Sequence, residues 1–549
     1  MRKFSLTIFV GLLLCFFQAS AYSYTFTGAV FTHADSLKAP NDWFLMDPQE
    51  DGIIGTSAQK AHEFLKNKQP KQTVVVAVID SGVDIAHEDL QGKIWVNTRE
   101  IPGNGIDDDK NGYVDDVHGW NFIGGSDGSH VAEDSHELTR EYVRLKAIYG
   151  GLTEDDVKKK QRKEFAYWQR IQRNFETDKA EAEMNFNFFQ NMEGMFNQAA
   201  DIVKEYLSVD DFGAAELSEI ETDDSKVKSS VGMLMQVFNN IRDDEMSVNE
   251  VISELAEARQ HFETQVNFAY NLDFDPRHIV GDDPEDYKDR NYGNNDPTGP
   301  DSSHGTHVAG IIAADRNNDL GIKGVAEHVL IMPIRAVPDG DERDKDVANA
   351  ILYAVDNGAH VINMSFGKSY SPGKKAVDRA VKYAERKGVV LVHAAGNSSK
   401  ETTPTNNFPN RFYEKKGEAS NWLEIGASSW LANEDLPASF SNFSNTGVDF
   451  FAPGVDIYST MPGGEYKKNS GTSMAAPTVA GVAALLLAYY PQLKPSQIRQ
   501  ILKSTVHDES ALEVNKPGAE ETVSFGKLSR TGGVVNAYRA LQMAESMTR

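Results

Sequence analysis

A chain of 549 residues with 40% hydrophobic and 25% charged side chains, 43 Gly and 20 Pro has room for roughly three or four domains, and is too apolar to be disordered and too poor in Gly and Pro to be collagen-like. Lys and Arg total 55 against 81 Asp and Glu, and the net charge of -26 disfavours a broad phosphate-binding surface, so nucleic acid is not an expected partner.

The sequence opens with Met1-Arg-Lys, a nearly unbroken apolar run from Phe4 to Phe17, and the small residues Ala19 and Ala21 ahead of Tyr22. This is the pattern of a cleaved signal peptide over residues 1–21, because about 14 apolar residues fall short of the ~20 that a spanning helix needs. An exported protein, secreted or periplasmic, is expected, with no stable membrane insertion after signal cleavage. The one cysteine, Cys15, falls inside the signal, so the mature chain is expected to hold no disulfide.

Residues 22–70 read as a polar N-terminal extension with one short helix. Thr73-Val-Val-Val-Ala-Val-Ile-Asp80 then begins a series of short β-branched apolar runs, continued at 329–336, 360–365, 389–394 and 422–427, with amphipathic stretches such as 346–357 and 376–387 between them. The alternation predicts an α/β fold with a doubly wound, mostly parallel sheet covered by helices on both faces, assembled from residues 71–129 and 277–545. The intervening 130–276 carries 31 acidic and 16 basic residues, five Gly and no Pro before Pro276. Phe165, Trp168, Ile171 and Phe175 recur at helical steps, as do Leu138, Tyr142 and Leu145, which predicts an inserted all-α domain. Its further aromatics Phe186, Phe188, Phe189 and Phe196 argue against a disordered linker. Packing on its own core is the plain expectation for this insertion, and shielding of a catalytic cleft the bolder one.

Asp80 closes the first apolar run, where the loops of an open parallel sheet place ligands and catalytic groups. His304 opens Ser303-His-Gly-Thr-His-Val-Ala-Gly310; with His307 it could form a metal pair, but no third ligand stands at a suitable spacing. Ser473 lies in Gly471-Thr-Ser473-Met-Ala-Ala-Pro477 at the head of an apolar helical stretch, where free N–H groups and the helix dipole favour developing negative charge. Asn397 ends Leu391-Val-His-Ala-Ala-Gly-Asn397. Taken singly, each has a plain reading as a turn former or cap. Together they supply the nucleophile, base, orienter and oxyanion donor that acyl transfer needs.

With these motifs in the order Asp, His, Ser, the sequence resembles the subtilases, the subtilisin-like serine peptidases. The resemblance extends over about 71–125 and 277–545. It implies a serine endopeptidase acting on proteins or peptides, with catalytic Asp80, His304 and Ser473, and with Asn397 as oxyanion donor. It also implies substrate-binding segments at Ser365, Phe366 and Gly367 and at Ala395 and Gly396, and no organic cofactor. Ser398 and the Phe366 neighbourhood leave room for an apolar side chain in the first specificity pocket. Alternative readings on the same scaffold are a processing peptidase of narrow specificity and a non-catalytic peptide-binding protein. No oligomeric state is implied. The 58 residues between Ala21 and Asp80 are expected to be too few for the full inhibitory prodomain that secreted members often carry.

Two segments suggest structural calcium. Asp107, Asp109 and Asn111 stand at alternate positions before Gly112, with the Tyr113 carbonyl and Asp115 following, which resembles the first two-thirds of a calcium loop; His118 occupies the twelfth position, so an EF-hand is not expected. The second segment, Asn317-Asn-Asp-Leu-Gly-Ile-Lys-Gly324, resembles the family's calcium loop. There Asn318 and the distant Asp89 would be side-chain ligands, and Arg316, Leu320 and Ile322 carbonyl ligands.

Overall fold

The computed structural model describes residues 39–239 and 246–548. The signal segment expected over 1–21, with Cys15, lies outside the described residues.

The apolar runs form a nine-stranded sheet. Its strands are β1 (Val74–Asp80), β2 (Trp120–Asn121), β3 (Val329–Arg335), β4 (Val361–Met364), β5 (Val390–Ala394), β6 (Trp422–Ser428) and β7 (Phe450–Pro453); a separate hairpin, β8 (Ile457–Met461) and β9 (Glu465–Asn469), precedes its last members, β10 (His507–Asp508) and β11 (Gly533–Val534). The order is β10-β11-β7-β6-β5-β4-β1-β3-β2, parallel throughout except for the terminal pair β10 and β11. β-Branched residues suit these strands because helices cover both faces, so each strand is apolar on both sides. β1 shows the consequence of the two-residue period: Val74, Val76 and Val78 enter one core, Ala77 and Ile79 the other.

Helices α1 (Ser303–Ala313) and α4 (Thr472–Tyr489) contribute to the first core, and α2 (Asp344–Asp356) and α3 (Lys374–Lys387) to the second. α4 is apolar on all sides, as a helix buried on all sides must be. By length and composition it could cross a membrane, yet 94% of it is buried inside the fold. From β1 the sheet grows to β3 and β2 on one side and to β4 through β7 on the other. The direction of winding therefore reverses at β1, whose carboxyl end carries Asp80, and such a reversal point opens a crevice for ligands.

The chain divides into two compact units, with Glu137 and Asp275 bordering the sheet unit and Leu138–Phe274 forming the other. The second unit is helical and is organised by one 46-residue helix, Arg162–Leu207, about 69 Å long at 1.5 Å per residue. Near its start Phe165, Trp168, Ile171 and Phe175 are buried, and Tyr142 stacks on Phe175 with ring centroids 4.2 Å apart. Towards its end the helices Ser225–Phe238 and Val248–Thr264 pack around Phe189, Phe196, Val203, Leu234, Leu255 and Phe262. Phe186 and Phe188 sit only half-buried at the margin of this cluster. The Val248–Thr264 helix is started by a capping box, in which Ser247 Oγ accepts from Glu250 N while the Glu250 carboxylate accepts from Ser247 N.

Because Phe196 is fully enclosed in this second core, Phe196→Ala is expected to destabilise the helical unit by about 3–5 kcal/mol. Urea unfolding followed by far-ultraviolet circular dichroism reads this directly; a loss below about 1 kcal/mol would show that the cluster does not hold the unit together.

Candidate active site

Asp80 ends β1 and is buried; its Oδ1 accepts from Ser81 N at 2.8 Å and lies 2.7 Å from His304 Nδ1. His304 is the second residue of α1. The approach of α1 to the strand end depends on Gly305, where a Cβ would lie 2.0 Å from Gly82 O and 3.1 Å from Asp80 Cβ. With glycine there, the first turn of the helix lies directly on the β1–loop junction. The His304 ring is only partly buried, and the desolvation that disfavours its charged form is outweighed by the negative charge of Asp80 and the hydrogen bond to it, so the His304 pKa is raised above its ordinary value.

Ser473 is the second residue of α4 and the one residue of that helix that is not buried. Its hydroxyl donates to Ser365 O at 3.1 Å, and in return Ser365 Oγ donates to Ser473 O at 2.9 Å. The second bond has a cause in the sequence. Pro477, four residues on, has no N–H to offer the Ser473 carbonyl; the Ser365 hydroxyl stands in for it. Ser365 is held in turn by Asn363 Nδ2 at 3.0 Å.

Asn397 is oriented by Thr472, whose N and Oγ1 donate to Asn397 Oδ1 at 2.9 and 2.8 Å. Thr472 Oγ1 also accepts from Gly396 N at 3.0 Å. With its oxygen so committed, Asn397 turns Nδ2 the other way. A Cβ on Gly471 would lie 3.3 Å from Asn397 Nδ2 and 3.6 Å from Ser473 N, so two N–H donors face one small space beside the helix start. The sequence reading passed over Thr472, whose only signal is a hydroxyl between the glycine and the serine of the motif.

Ser365 and Ala395 directly follow β4 and β5, so with Asp80 these segments occupy the carboxyl ends of three adjacent parallel strands. Asn442 braces the Ala395 segment: its Nδ2 donates to Ala395 O and its N to Gly396 O, each at 2.8 Å, while its Oδ1 accepts from Ser398 N and Lys400 N. Asn442 lies far along the chain, and no spacing in the sequence points to it.

In the acidic loop, ligand oxygens of Glu100, Asp109 and Asp116 lie within 4.8 Å of one another. Of the three loop carboxylates expected to be ligands, Asp107, Asp109 and Asp115, only Asp109 belongs to this group. The Asp107 carboxylate accepts from Asn111 N and Gly112 N, and that of Asp115 from Asn104 N and Gly105 N, so both serve as turn caps. Asn111 donates to Asp116 Oδ2 at 3.0 Å, and the Tyr113 ring packs against Trp120, Phe122 and Tyr353. Burial raises the Asp116 pKa to about 6 and the nearby Asp109 charge adds to this, against hydrogen bonds from Tyr353, Asn97 and Asn111. Asp89 and Asn318 also meet: buried Asp89 accepts from Asn318 Nδ2 at 2.8 Å, and from Ile322 N and Tyr466 Oη at 3.3 Å, while Leu320 N donates to Asn318 Oδ1 and the Leu320 side chain is exposed.

Comparison with known proteins places this geometry in context. The model of the subtilase family matches residues 71–527. The thermophilic serine proteinase of Bacillus sp. (strain AK1) is 44% identical over 205 residues, 37% of this chain and 47% of that protein. Thermitase of Thermoactinomyces vulgaris is 38% identical over 247 residues, 44% of this chain and 75% of that protein. Subtilisin E of Bacillus subtilis (strain 168) is 39% identical over 206 residues, 37% of this chain and 50% of that protein. The chain thus spans about half the length of the first and third of these relatives.

Gly305→Ala is expected to push α1 away from Gly82 O and to destabilise the sheet unit by about 1–3 kcal/mol. The thermal midpoint should fall by several degrees; an unchanged midpoint would mean that the close approach of α1 to β1 is not required.

Proposed function

The chain belongs to the subtilase family, and on that premise we propose that it is an exported serine endopeptidase that hydrolyses peptide bonds in proteins. The observation that carries this reading is the 2.7 Å contact of His304 Nδ1 with the buried Asp80 carboxylate. A carboxylate only accepts, so Nδ1 carries the hydrogen and Nε2 presents a lone pair, the tautomer that a general base needs. In this reading His304 Nε2 removes the Ser473 Oγ proton as the hydroxyl leaves Ser365 O and adds to the substrate carbonyl. Asp80 stabilises the imidazolium that forms. The oxyanion enters the space faced by Asn397 Nδ2 and Ser473 N, where the amino end of α4 adds its own favourable potential. The imidazolium then protonates the leaving amine, and water repeats the sequence on the acyl-enzyme. The backbone of Ser365–Gly367 pairs with an extended substrate, which favours unfolded segments. Export rests on the signal-like residues 1–21.

Calcium fits the acidic loop by the chemistry of its donors: three carboxylates converge there, and the oxygens of Glu100, Asp109 and Asp116 would hold a hard divalent cation. When bound, the ion supplies the charge that offsets their mutual repulsion and clamps the loop. Asp89, Asn318, Leu320 and Ile322 are a weaker fit, because they bring one carboxylate to a cation where the acidic loop brings three.

Purified mature protein is expected to hydrolyse quenched fluorescent casein and to take up a fluorophosphonate at Ser473, and Ser473→Ala should lose both. Asn397→Ala should lower kcat by about 10²–10³, a magnitude that itself comes from a subtilase. Folded protein that neither cleaves casein nor takes up the reagent would overturn the assignment. Chelation of calcium should lower the thermal midpoint by several degrees, as loss of a ligand near 100-fold above its Kd removes about 2.7 kcal/mol. A Glu100→Gln, Asp116→Asn variant should be indifferent to chelator; if it responds as wild type does, the ion lies elsewhere.

A further inference from the structure

Next to the segments assigned above to the substrate lies a buried polar cluster that the proposed mechanism does not use. His393 is on β5 with a fully buried side chain. Its Nδ1 is 3.0 Å from Glu424 Oε1, and its ring meets those of Trp422 and Phe366 at centroid distances of 5.3 and 6.4 Å. The Glu424 carboxylate accepts two further bonds, from Asn407 Nδ2 at 3.1 Å and from Trp422 Nε1 at 2.7 Å. These bonds fix two orientations. His393 must carry its hydrogen on Nδ1, which leaves Nε2 as an acceptor. Asn407 must turn Oδ1 away from Glu424.

Among the described residues His393 Nε2 has no hydrogen-bond partner. A buried acceptor left unpaired is costly, so its surroundings matter. A Cβ on Gly367 would lie 3.2 Å from Phe408 O, 3.4 Å from Asn407 Oδ1 and 3.7 Å from His393 Nε2, and a Cβ on Gly396 would lie 2.5 Å from Asn442 Nδ2 and 3.5 Å from the same Asn407 Oδ1. Both acceptors therefore face the side-chain-free surface of Gly367, and the Asn407 oxygen also lies beside Gly396, next to the Asn442 amide.

We infer that His393 Nε2 and Asn407 Oδ1 form the floor of the pocket for the substrate residue on the acyl side of the scissile bond, and that they select a primary carboxamide, that of glutamine, over apolar side chains. One amide nitrogen brings two hydrogens for two acceptors. An apolar side chain would desolvate both acceptors and pair neither, and a carboxylate would add a third acceptor in front of Glu424. Glu424 acts through His393 and Asn407 as a positioning residue. The inference replaces the apolar preference suggested by Ser398 and Phe366, and it rests on the peptidase reading above.

The test uses internally quenched peptides that differ only at this residue, carrying glutamine, glutamate or methionine, assayed at pH 8 with wild type, His393→Leu and Asn407→Leu. Wild type should prefer glutamine to both others by at least tenfold in kcat/KM. In each variant the glutamine-to-methionine ratio should fall by at least tenfold; if His393→Leu fails to fold, Asn407→Leu, a loop substitution, carries the comparison alone. Methionine cleaved as well as glutamine by wild type, or an unchanged ratio in a folded variant, would overturn the inference. Casein hydrolysis and fluorophosphonate labelling separate the two levels of failure. An enzyme that labels and cleaves casein without preferring glutamine defeats the pocket alone, and one that does neither defeats the pocket together with the peptidase reading.

Discussion

Most of the candidate site's arrangement depends on one backbone contact, that of Gly305 against the carbonyl of Gly82. No residue with a Cβ can sit at position 305 while the helix start touches the strand end, because the clash would be with backbone and not with a side chain that could rotate away. The contact sets α1 so that the residue before the glycine meets the carboxylate that ends β1. The sheet contributes the rest. Its winding reverses at β1, so Asp80, Ser365 and Ala395 emerge from neighbouring parallel strands at the same edge.

The start of α4 is the second organiser, and there a few side chains each serve two neighbours. Thr472 binds both Gly396 and Asn397, and by occupying the oxygen of the asparagine it aims the amide N–H groups. Ser365 fills the vacancy that Pro477 creates in the helix ladder, which fixes the backbone of Ser473 from outside the helix. The amino end of α4 is thereby tied to the segments that follow two strands, β4 and β5. Preorganisation of this kind lets fixed dipoles, in place of reorganising water, meet a developing charge.

The sequence made legible those features that depend on local period or on a compact motif. The runs at Val74–Asp80 and Val329–Arg335 are strands because a twice-covered parallel strand must be apolar on both faces. The amphipathic stretch read at 376–387 is the helix Lys374–Lys387, begun two residues earlier. Asp80, His304, Asn397 and Ser473 stand out because each lies within two residues of a glycine where an apolar run ends, as at Asp80 and Asn397, or begins, as at His304 and Ser473. The unread features depend on tertiary contact. Glu100 and Asp116 flank the alternating acidic residues without sharing their spacing, and the caps of the turn take up Asp107 and Asp115. His393 lies inside an apolar strand and reads as a core residue; that Glu424 and Asn407 converge on it appears only when β5 and β6 pair. The short strand Phe450–Pro453 has too few residues to show any period.

In the proposed triad the Asp80 charge sets the proton affinity of His304. The most direct measurement is the rate of fluorophosphonate labelling of Ser473 against pH, in wild type and in Asp80→Asn. His304 is reactive when neutral, and its pKa is raised, so the rate should climb with a midpoint above the ordinary histidine value of about 6.5. Without the Asp80 carboxylate, desolvation is opposed only by the smaller effect of the Asp301 charge, and the midpoint should move below that of wild type while the maximal rate collapses. A wild-type midpoint at or below about 6.5, or one that Asp80→Asn leaves in place, would rule out this role of Asp80.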